Sequence, residues 1–223
     1  MKGIFSGGAK LPNDMLKSFE SRFSISVFEA YGLTETTSFA TCVKKDLSKR
    51  VAGSVGEPLF INEIKIVSGQ KELPPYEKGE IVIKGSNLFK EYLNLPELTS
   101  EKIKDGWFHS GDLGYKDENN NIFVVDRVDN MIIIGGENVY PSEVENLIPK
   151  LKGIKDGVLS SIPHDILGNE LVLLYESKSD SAVEMSQWNG VFAQHLSSFK
   201  LPSHSLNHYR SSVYSFTTSI IPS

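Results

Sequence analysis

The sequence is built from short apolar runs, rich in β-branched residues, that glycine and proline interrupt at close intervals. Examples are residues 61–67, 81–84 and 131–134. Runs of this length between turn-forming residues are typical of β-strands. They are also far too short to cross a bilayer. The pattern predicts a mixed α/β chain with a small β-rich unit in its first half.

Further strands are expected in four other runs, and a hairpin is expected around the polar segment 117–121, between residues 113–115 and 122–125. The four runs are residues 2–5, 25–28, 157–160 and 171–175. Apolar side chains at helical spacing predict three helices. The first carries Leu11, Met15, Leu16 and Phe19, the second follows a capping-box pair of Ser142 and Glu145, and the third carries Trp188, Phe192, His195, Leu196 and Phe199. On this stripe His195 is expected to be packed or exposed at a rim rather than catalytic.

The character of the sequence changes twice. A boundary is expected at about residue 128, after which residues 129–202 form a compact α+β C-terminal domain. Residues 203–223 contain seven serines, one arginine, no lysine and no acidic residue. This composition is unlike the rest of the chain and predicts a disordered tail.

Charge and cysteine content exclude several classes of function. A net charge of −5 and a pI of about 5.6 offer no basic surface to nucleic acid or anionic lipid. The single cysteine, Cys42, excludes an internal disulfide and a cysteine-based metal site, and is expected to be buried or idle. The first five residues lack the apolar stretch of a signal peptide. We therefore expect a cytoplasmic protein without a transmembrane segment.

Four short segments carry residues suited to nucleotide chemistry: residues 31–36, 105–114, 126–132 and 135–145. In the first, a ring suited to stacking on a purine (Tyr31) precedes a hydroxyl for phosphate (Thr34) and a carboxylate for Mg²⁺ (Glu35). In the second, Asp112 lies between glycines and is suited to a ribose diol. An ordinary turn is the alternative interpretation of each segment taken alone.

Taken together, these segments resemble the adenylate-forming superfamily of acyl-CoA synthetases, adenylation domains and luciferases. The resemblance spans residues 3–202 and is closest to the fatty-acyl and aryl CoA ligase branches. The remaining matching motifs are residues 5–9, 72–75 with 79–81, and 163–165 with Gly168. The resemblance implies the end of a large AMP-binding domain in residues 1–128, followed by a small C-terminal lid domain.

The resemblance also implies a role for particular residues. The nucleotide contacts would be Tyr31 and Gly32 at the adenine, Gly7, Gly8 and Ala9 along the adenine and acyl pocket, Thr34 at the phosphate, Glu35 at Mg²⁺, and Asp112 with Arg127 at the ribose. Asp129 would be the hinge between two half-reactions, and Gly135 and Gly136 would face the pantetheine channel. The implied ligands are ATP or AMP, Mg²⁺, coenzyme A and a small carboxylic acid.

Two lysine-bearing elements of the family pattern are missing from the sequence. The phosphate loop should lie well upstream of Tyr31, where only 30 residues are present, and no lysine follows Lys200. Asp126 stands where glycine is usual before the arginine, and Glu91 where glycine is usual before Tyr92. These departures predict a partial acyl-CoA synthetase with negligible turnover by itself. The alternatives are a non-catalytic module that binds an adenylate, CoA or a protein, and a chain without function.

Overall fold

The computed structural model describes residues 3–8, 11–43, 49–179 and 183–207 of the chain. Its helices are α1 (Asn13–Phe23), α2 (Pro96–Lys102), α3 (Pro141–Glu145) and α4 (Asn189–His195). Its strands are β1 (Gly3–Ser6), β2 (Ser26–Glu29), β3 (Thr41–Cys42), β4 (Glu57–Pro58), β5 (Asn62–Ser68), β6 (Lys71–Glu72), β7 (Gly79–Gly85), β8 (Ile103–Lys104), β9 (Trp107–Lys116), β10 (Ile122–Arg127), β11 (Ile132–Ile134), β12 (Glu137–Val139), β13 (Ile154–His164), β14 (Gly168–Ser177) and β15 (His204–Asn207). The fold is the mixed α/β class that the sequence predicts.

The chain divides into two units, the first ending at Asp129 and the second beginning at Asn130. This division lies next to the boundary expected at residue 128. Among the residues that the structure describes, none of the helices has the length and hydrophobicity that a membrane crossing requires.

An antiparallel sheet in the order β10-β9-β7-β5-β6, with β8 added at β9, forms the larger part of the first unit. Alternation along β5 and β7 places one set of side chains in a common core. The buried members are Ala40, Ile64, Ile66, Leu73, Ile81, Ile83 and Ile122, with Tyr31 and Leu33 among the partly buried side chains packed against them. β9 and β10 form the expected hairpin.

A second, smaller sheet lies at the start of the first unit, where β1 pairs in parallel with β2. α1 connects the two strands and buries Leu16. The helix ends at Ser24, whose φ of 52° is left-handed, and the Ser24 N–H is bonded to the Glu20 carbonyl. The chain then enters β2 directly.

The second unit has its own core. β13, β14 and β15 form a three-stranded sheet, and β11 pairs with β12 in a separate hairpin. The buried core includes Trp188 and Phe192 from the region of α4 and Val144 from α3. The Trp188 ring lies edge-on to Tyr175, and its indole N–H donates to the Lys152 carbonyl over 3.1 Å.

Three features differ from the sequence-based expectations. The capping box at Ser142 is wrong, because α3 begins two residues earlier than that N-cap requires, with Pro141 at its first position and Tyr140 as N-cap. α2 was not expected, and none of its side chains is buried, so no apolar stripe marks it. Residues 203–223 were expected to be disordered, but β15 lies within them and pairs with β14. Residues 208–223 lie outside the described residues.

Cys42 and His195, which were not expected to be catalytic, lie in ordinary surroundings. Cys42 is half-buried, and burial raises the pKa of its thiol. Its Sγ lies 3.4 Å from the Val43 carbonyl as a weak donor. His195 is exposed at the end of α4.

Candidate active site

A pocket of about 320 Å³ opens in the first unit, beside the ends of β1 and β2. Its lining combines glycines, one aromatic ring and charged side chains. The lining residues are Ser6, Gly8, Glu29, Ala30, Tyr31, Gly32, Leu33, Gly53, Val55, Asp112, Val124 and Arg127. Segments that are far apart in the sequence therefore meet at one cavity.

Asp112 is the centre of the hydrogen bonds in this pocket. Its Oδ2 accepts a hydrogen bond from the Tyr31 hydroxyl over 2.6 Å, and its Oδ1 accepts one from Arg127 Nη1 over 2.7 Å. Burial and the neighbouring Asp112 carboxylate raise the pKa of Tyr31 well above its usual value. Burial alone would lower the pKa of Arg127, but the Asp112 carboxylate outweighs it, so the pKa is raised. Tyr31 and Arg127 thus stay protonated, and both donate to Asp112.

The segment just before Asp112 fixes where its carboxylate lies. Ser110 Oγ donates to the Ile81 carbonyl over 2.7 Å and accepts from the Asp112 N–H over 3.0 Å. Gly111 has a φ of 71°, a conformation that favours glycine, and its N–H donates to Glu80 Oε1 over 3.0 Å. Asp112 is therefore carried by the packed strands β7 and β9.

Tyr31 leads into a tight turn that passes over the sheet. Thr36 is fully buried; its Oγ1 accepts from the Leu33 N–H over 2.9 Å and donates to the Leu33 carbonyl over 3.0 Å. A side chain at Gly32 would collide with the Ser38 carbonyl, so this position requires glycine. The turn places Thr34 at the exposed start of a 3₁₀ segment, Thr34–Thr36.

Glu35, in the same turn, is held at two points. Its backbone carbonyl accepts the Phe89 N–H over 2.8 Å, and its Oε1 accepts the Tyr92 hydroxyl over 2.8 Å. Burial and the Glu35 carboxylate raise the pKa of Tyr92 to about 12, so the phenol remains a donor. Oε2 of Glu35 has no bonded partner among the described residues, which leaves one oxygen for a ligand.

The glycines expected near the nucleotide differ in their surroundings. Gly8 lines the pocket with a φ of 85°, and no atom lies within 4 Å of the position a Cβ would occupy. A Cβ on Gly7 would approach the Ala30 carbonyl to 3.1 Å, so Gly7 allows close packing of β1 on β2. Ala9, expected beside them, lies outside the described residues.

Comparison with known proteins agrees with this constellation. The family of AMP-binding enzymes matches residues 1–93. The 2-succinylbenzoate–CoA ligase of Geobacillus sp. (strain WCH70) is 35% identical over 196 residues, covering 88% of this chain and 40% of that protein. The corresponding ligase of Oceanobacillus iheyensis is 38% identical over 163 residues, covering 73% of this chain and 33% of that protein. The chain belongs to the adenylate-forming superfamily, in its acyl-CoA synthetase branch.

Solved structures of the superfamily match over the same extent. The o-succinylbenzoate CoA synthetase from Bacillus subtilis, in complex with the acyl-adenylate intermediate OSB-AMP, superimposes with a TM-score of 0.85 at 31% identity, covering 94% of this chain and 43% of that one. ATP-bound MatB from Rhodopseudomonas palustris gives a TM-score of 0.83 at 30% identity, covering 94% and 42%. This chain thus spans about two fifths of the length of the relatives it matches.

One departure from the superfamily pattern, at Asp126, leaves the bonding at Asp112 intact. Asp126, in place of the usual glycine, accepts the Arg127 N–H at its Oδ1 over 2.7 Å. It lies at a bulge between Val124 and Asp126 in the pairing of β10 with β9. Arg127 still reaches both Asp112 and the Ser110 carbonyl, the latter over 3.2 Å.

The remaining expected residues of the superfamily site lie beyond this pocket. Asp129 is exposed in a 3₁₀ segment, Val128–Asn130, at the end of the first unit. In the second unit, Gly135 and Gly136 form the two-residue turn between β11 and β12, with φ values of 56° and 89°. Positive φ at both positions is typical of a type I′ hairpin turn and explains the glycine pair.

The side chains that hold the expected ones in place were not predicted from the sequence. Ser110 and Glu80 position Asp112, while Tyr92 bonds Glu35. Ser110 lies two residues from Asp112, where a short polar side chain in a glycine-rich turn is a usable signal. No sequence signal links Tyr92 to Glu35, which is 57 positions away.

Proposed function

We propose that this chain binds an adenosine nucleotide in its pocket and contributes that site to the ATP-dependent activation of a carboxylic acid. The observation that carries the proposal is the convergence of Tyr31, Asp112 and Arg127 on one cavity. The ring suits the purine of such a ligand, and the carboxylate together with the guanidinium suits its ribose. The cavity of about 320 Å³ is in the size range of small-molecule sites.

Asp112 retains the capacity to bind ribose although both of its oxygens are engaged. Each carboxylate oxygen has two lone pairs, and each accepts one hydrogen bond within the protein. The bond from Tyr31 also fixes its ring, so that the stacking surface is oriented before a purine arrives. The ribose and adenine contacts are therefore preorganised together.

Glu35 fits the role of a magnesium ligand. Mg²⁺ is usually held by one or two carboxylates together with substrate phosphates. Among the described residues, no group of three or more Asp, Glu, His or Cys side chains could hold a metal ion, so Glu35 would hold the ion together with the phosphates of a bound nucleotide. When bound, the ion would neutralise phosphate charge, while Glu35 presents its Oε2 and Tyr92 keeps Oε1 in place.

The proposed chemistry has two half-reactions. A carboxylate oxygen attacks the α-phosphorus of ATP, forming an acyl-adenylate as pyrophosphate leaves. A thiol sulfur then attacks the acyl carbon, forming a thioester as AMP leaves and the thiol proton passes to solvent. Asp129 would be the hinge for a rearrangement between the two steps. Gly135 and Gly136 would admit the thiol-bearing arm, for which coenzyme A is the first candidate.

The relatives suggest which acid to test first. They are named as ligases of 2-succinylbenzoate and CoA, an aryl acid that agrees with the branch indicated by the motif at residues 135–141. Fatty acids and other aryl acids are the next members of the panel.

One observation favours binding without turnover by the 223-residue chain alone. Lys200 is the last lysine of the sequence, and it is paired with Glu143 over 2.7 Å while both side chains are largely buried. It is therefore engaged in the second unit rather than available to a phosphate. Removing a single oxyanion contact costs about 10²–10³ in rate, so we expect little turnover from a sample of residues 1–223 alone.

Isothermal titration of the purified chain with AMP tests the binding proposal. We expect AMP to bind, and Asp112→Asn to weaken binding about 10–100-fold, because hydrogen bonds to a charged group are lost. Asp105→Asn is the matched control, since Asp105 is exposed in a turn of the same unit. Absence of AMP binding by a folded sample would refute the proposal.

Pyrophosphate release with ATP, Mg²⁺ and the acid panel tests the expectation of negligible turnover. We expect no acid-dependent release from the chain alone. Release with one acid would show that the chain is a catalyst by itself and would identify its substrate.

A further inference from the structure

We propose that Tyr92 is a positioning residue that sets the carboxylate of Glu35 for its ligand. The inference rests on the proposed function, because it concerns the metal-binding role suggested for Glu35. It adds a residue to which the expected site assigns no role. The residues that contact Glu35 in this way lie in the segment that follows β7.

A single short segment, residues 89–92, is hydrogen-bonded to both the backbone and the carboxylate of Glu35. The Phe89 N–H donates to the Glu35 carbonyl over 2.8 Å, and three residues later the Tyr92 hydroxyl donates to Oε1 over 2.8 Å. A glutamate side chain free at its carboxylate would sample several rotamers. The two bonds select one of them and direct Oε2 away from Tyr92.

Tyr92 is itself held in place. Its backbone N–H donates to Thr99 Oγ1 over 3.0 Å. Its ring lies edge-on to Phe89 with centroids 4.6 Å apart, and Phe89 in turn lies edge-on to Phe108 at 5.6 Å. Phe108 is 2% exposed in β9. The hydroxyl is thus anchored through an aromatic chain to the packed sheet.

The same segment supports the rest of the turn that carries Glu35. Asn87 Nδ2 donates to the Thr36 carbonyl over 2.8 Å and to the Phe39 carbonyl over 2.9 Å. The Thr37 hydroxyl donates to the Asn87 carbonyl over 2.7 Å. Because the backbone of the turn has these bonds independently of Tyr92, removing the Tyr92 hydroxyl should release the carboxylate without unfolding the turn.

A first experiment measures the positioning without any ligand. Side-chain scalar couplings measured by NMR on the full chain should show Glu35 in one rotamer in the wild type and averaged over several in Tyr92→Phe, because the bond that fixes Oε1 is lost. Hydrogen exchange of the Thr36, Thr37 and Ser38 amides should be unchanged, because their bonds do not involve Tyr92. Amides of β5 and β7 should be unchanged. Tyr115→Phe is the matched control, because Tyr115 is stacked on Phe123 at 4.5 Å in β9 and β10. A Glu35 side chain that keeps a single rotamer in Tyr92→Phe would overturn the proposal.

A second experiment measures the consequence for the metal. ATP affinity is determined with Mg²⁺ and with EDTA, and the ratio of the two values is compared between variants. Tyr92→Phe should reduce the Mg²⁺ enhancement about tenfold and leave the EDTA affinity unchanged, whereas a general structural defect would weaken both. An unchanged ratio would overturn the proposal. A wild-type chain that binds no nucleotide would refute the proposed function, while the NMR experiment on the Glu35 side chain would still decide the positioning role.

Discussion

Two sheets of the first unit, the large antiparallel sheet and the parallel pair of β1 and β2, are constructed very differently. In the antiparallel sheet, Ile66, Ile81 and Ile83 are completely buried. In the parallel pair of β1 and β2, Phe5 is 67% exposed, and the nearby Phe39 is 43% exposed. The antiparallel sheet is stabilised by a shared apolar core, whereas the parallel pair exposes much of its aromatic surface to solvent.

The candidate site lies where these two regions meet, and polar bonds join them there. Tyr31 bonds Asp112, Thr41 Oγ1 donates to the Val55 carbonyl over 2.7 Å, and Asn62 Nδ2 donates to the Ala40 carbonyl over 3.0 Å. Asp112 lies in β9 of the packed sheet, whereas Tyr31 and Thr41, which follow β2, depend on these bonds for their position. We therefore expect mutations in the apolar core to change mainly the stability of the chain, and mutations of the polar bonds to change mainly the geometry of the site.

The largest expected effect is a loss of stability on mutation of the apolar core of the antiparallel sheet. Ile81→Ala should lower the free energy of unfolding by about 2–5 kcal/mol, because it empties a fully buried site. Urea denaturation followed by circular dichroism measures the change. Phe5→Ala is the control in the other sheet and should cost less than about 1 kcal/mol. Equal losses would mean that both sheets are stabilised in the same way.

A smaller loss is expected where the two regions are joined. Thr41 is completely buried, and its Oγ1 donates to Val55 and accepts the Tyr31 N–H over 3.3 Å. Thr41→Val should destabilise the chain by about 1–3 kcal/mol, because it leaves a partly buried carbonyl and a partly buried N–H without their bonds to the Thr41 hydroxyl. Urea unfolding measures the loss, and AMP titration should show weaker binding. Thr41→Ser keeps the hydroxyl and should retain most of the stability and most of the AMP affinity. Losses as large as those of Thr41→Val would contradict a role for the hydrogen bonds.

Features with local causes were predictable from the sequence. The hairpin around residues 117–121 forms because Asp117 Oδ1 accepts the N–H groups of Asn119 and Asn121, a bond pattern that short polar turns favour. The capping box failed because Pro141 takes the first helical position, and Glu145 Oε1 instead accepts the Leu159 N–H over 2.9 Å. Local patterns thus locate turns better than they locate helix ends.

The candidate site was predictable only through family resemblance. No residue pattern alone connects Tyr31 to Asp112, which lies 81 positions away. Each segment alone is compatible with an ordinary turn, and tertiary packing of the sheet is what brings them together. Supporting contacts such as Tyr92 with Glu35 have no local signal at all.

The last prediction uses alkaline pH to test the Tyr31–Asp112 bond. An unfolded tyrosine loses its proton near pH 10, whereas burial and Asp112 raise the pKa of Tyr31 in the folded chain. A raised folded pKa gives stability that is complete below pH 10 and is lost as the pH rises further, by at most about 1.4 kcal/mol per pH unit. Urea unfolding between pH 9 and 11 should therefore show a shallower decline in Tyr31→Phe than in the wild type. Tyr76→Phe, at an exposed position, should decline like the wild type; an unchanged slope in Tyr31→Phe would mean that the bond to Asp112 contributes nothing to joining the two regions.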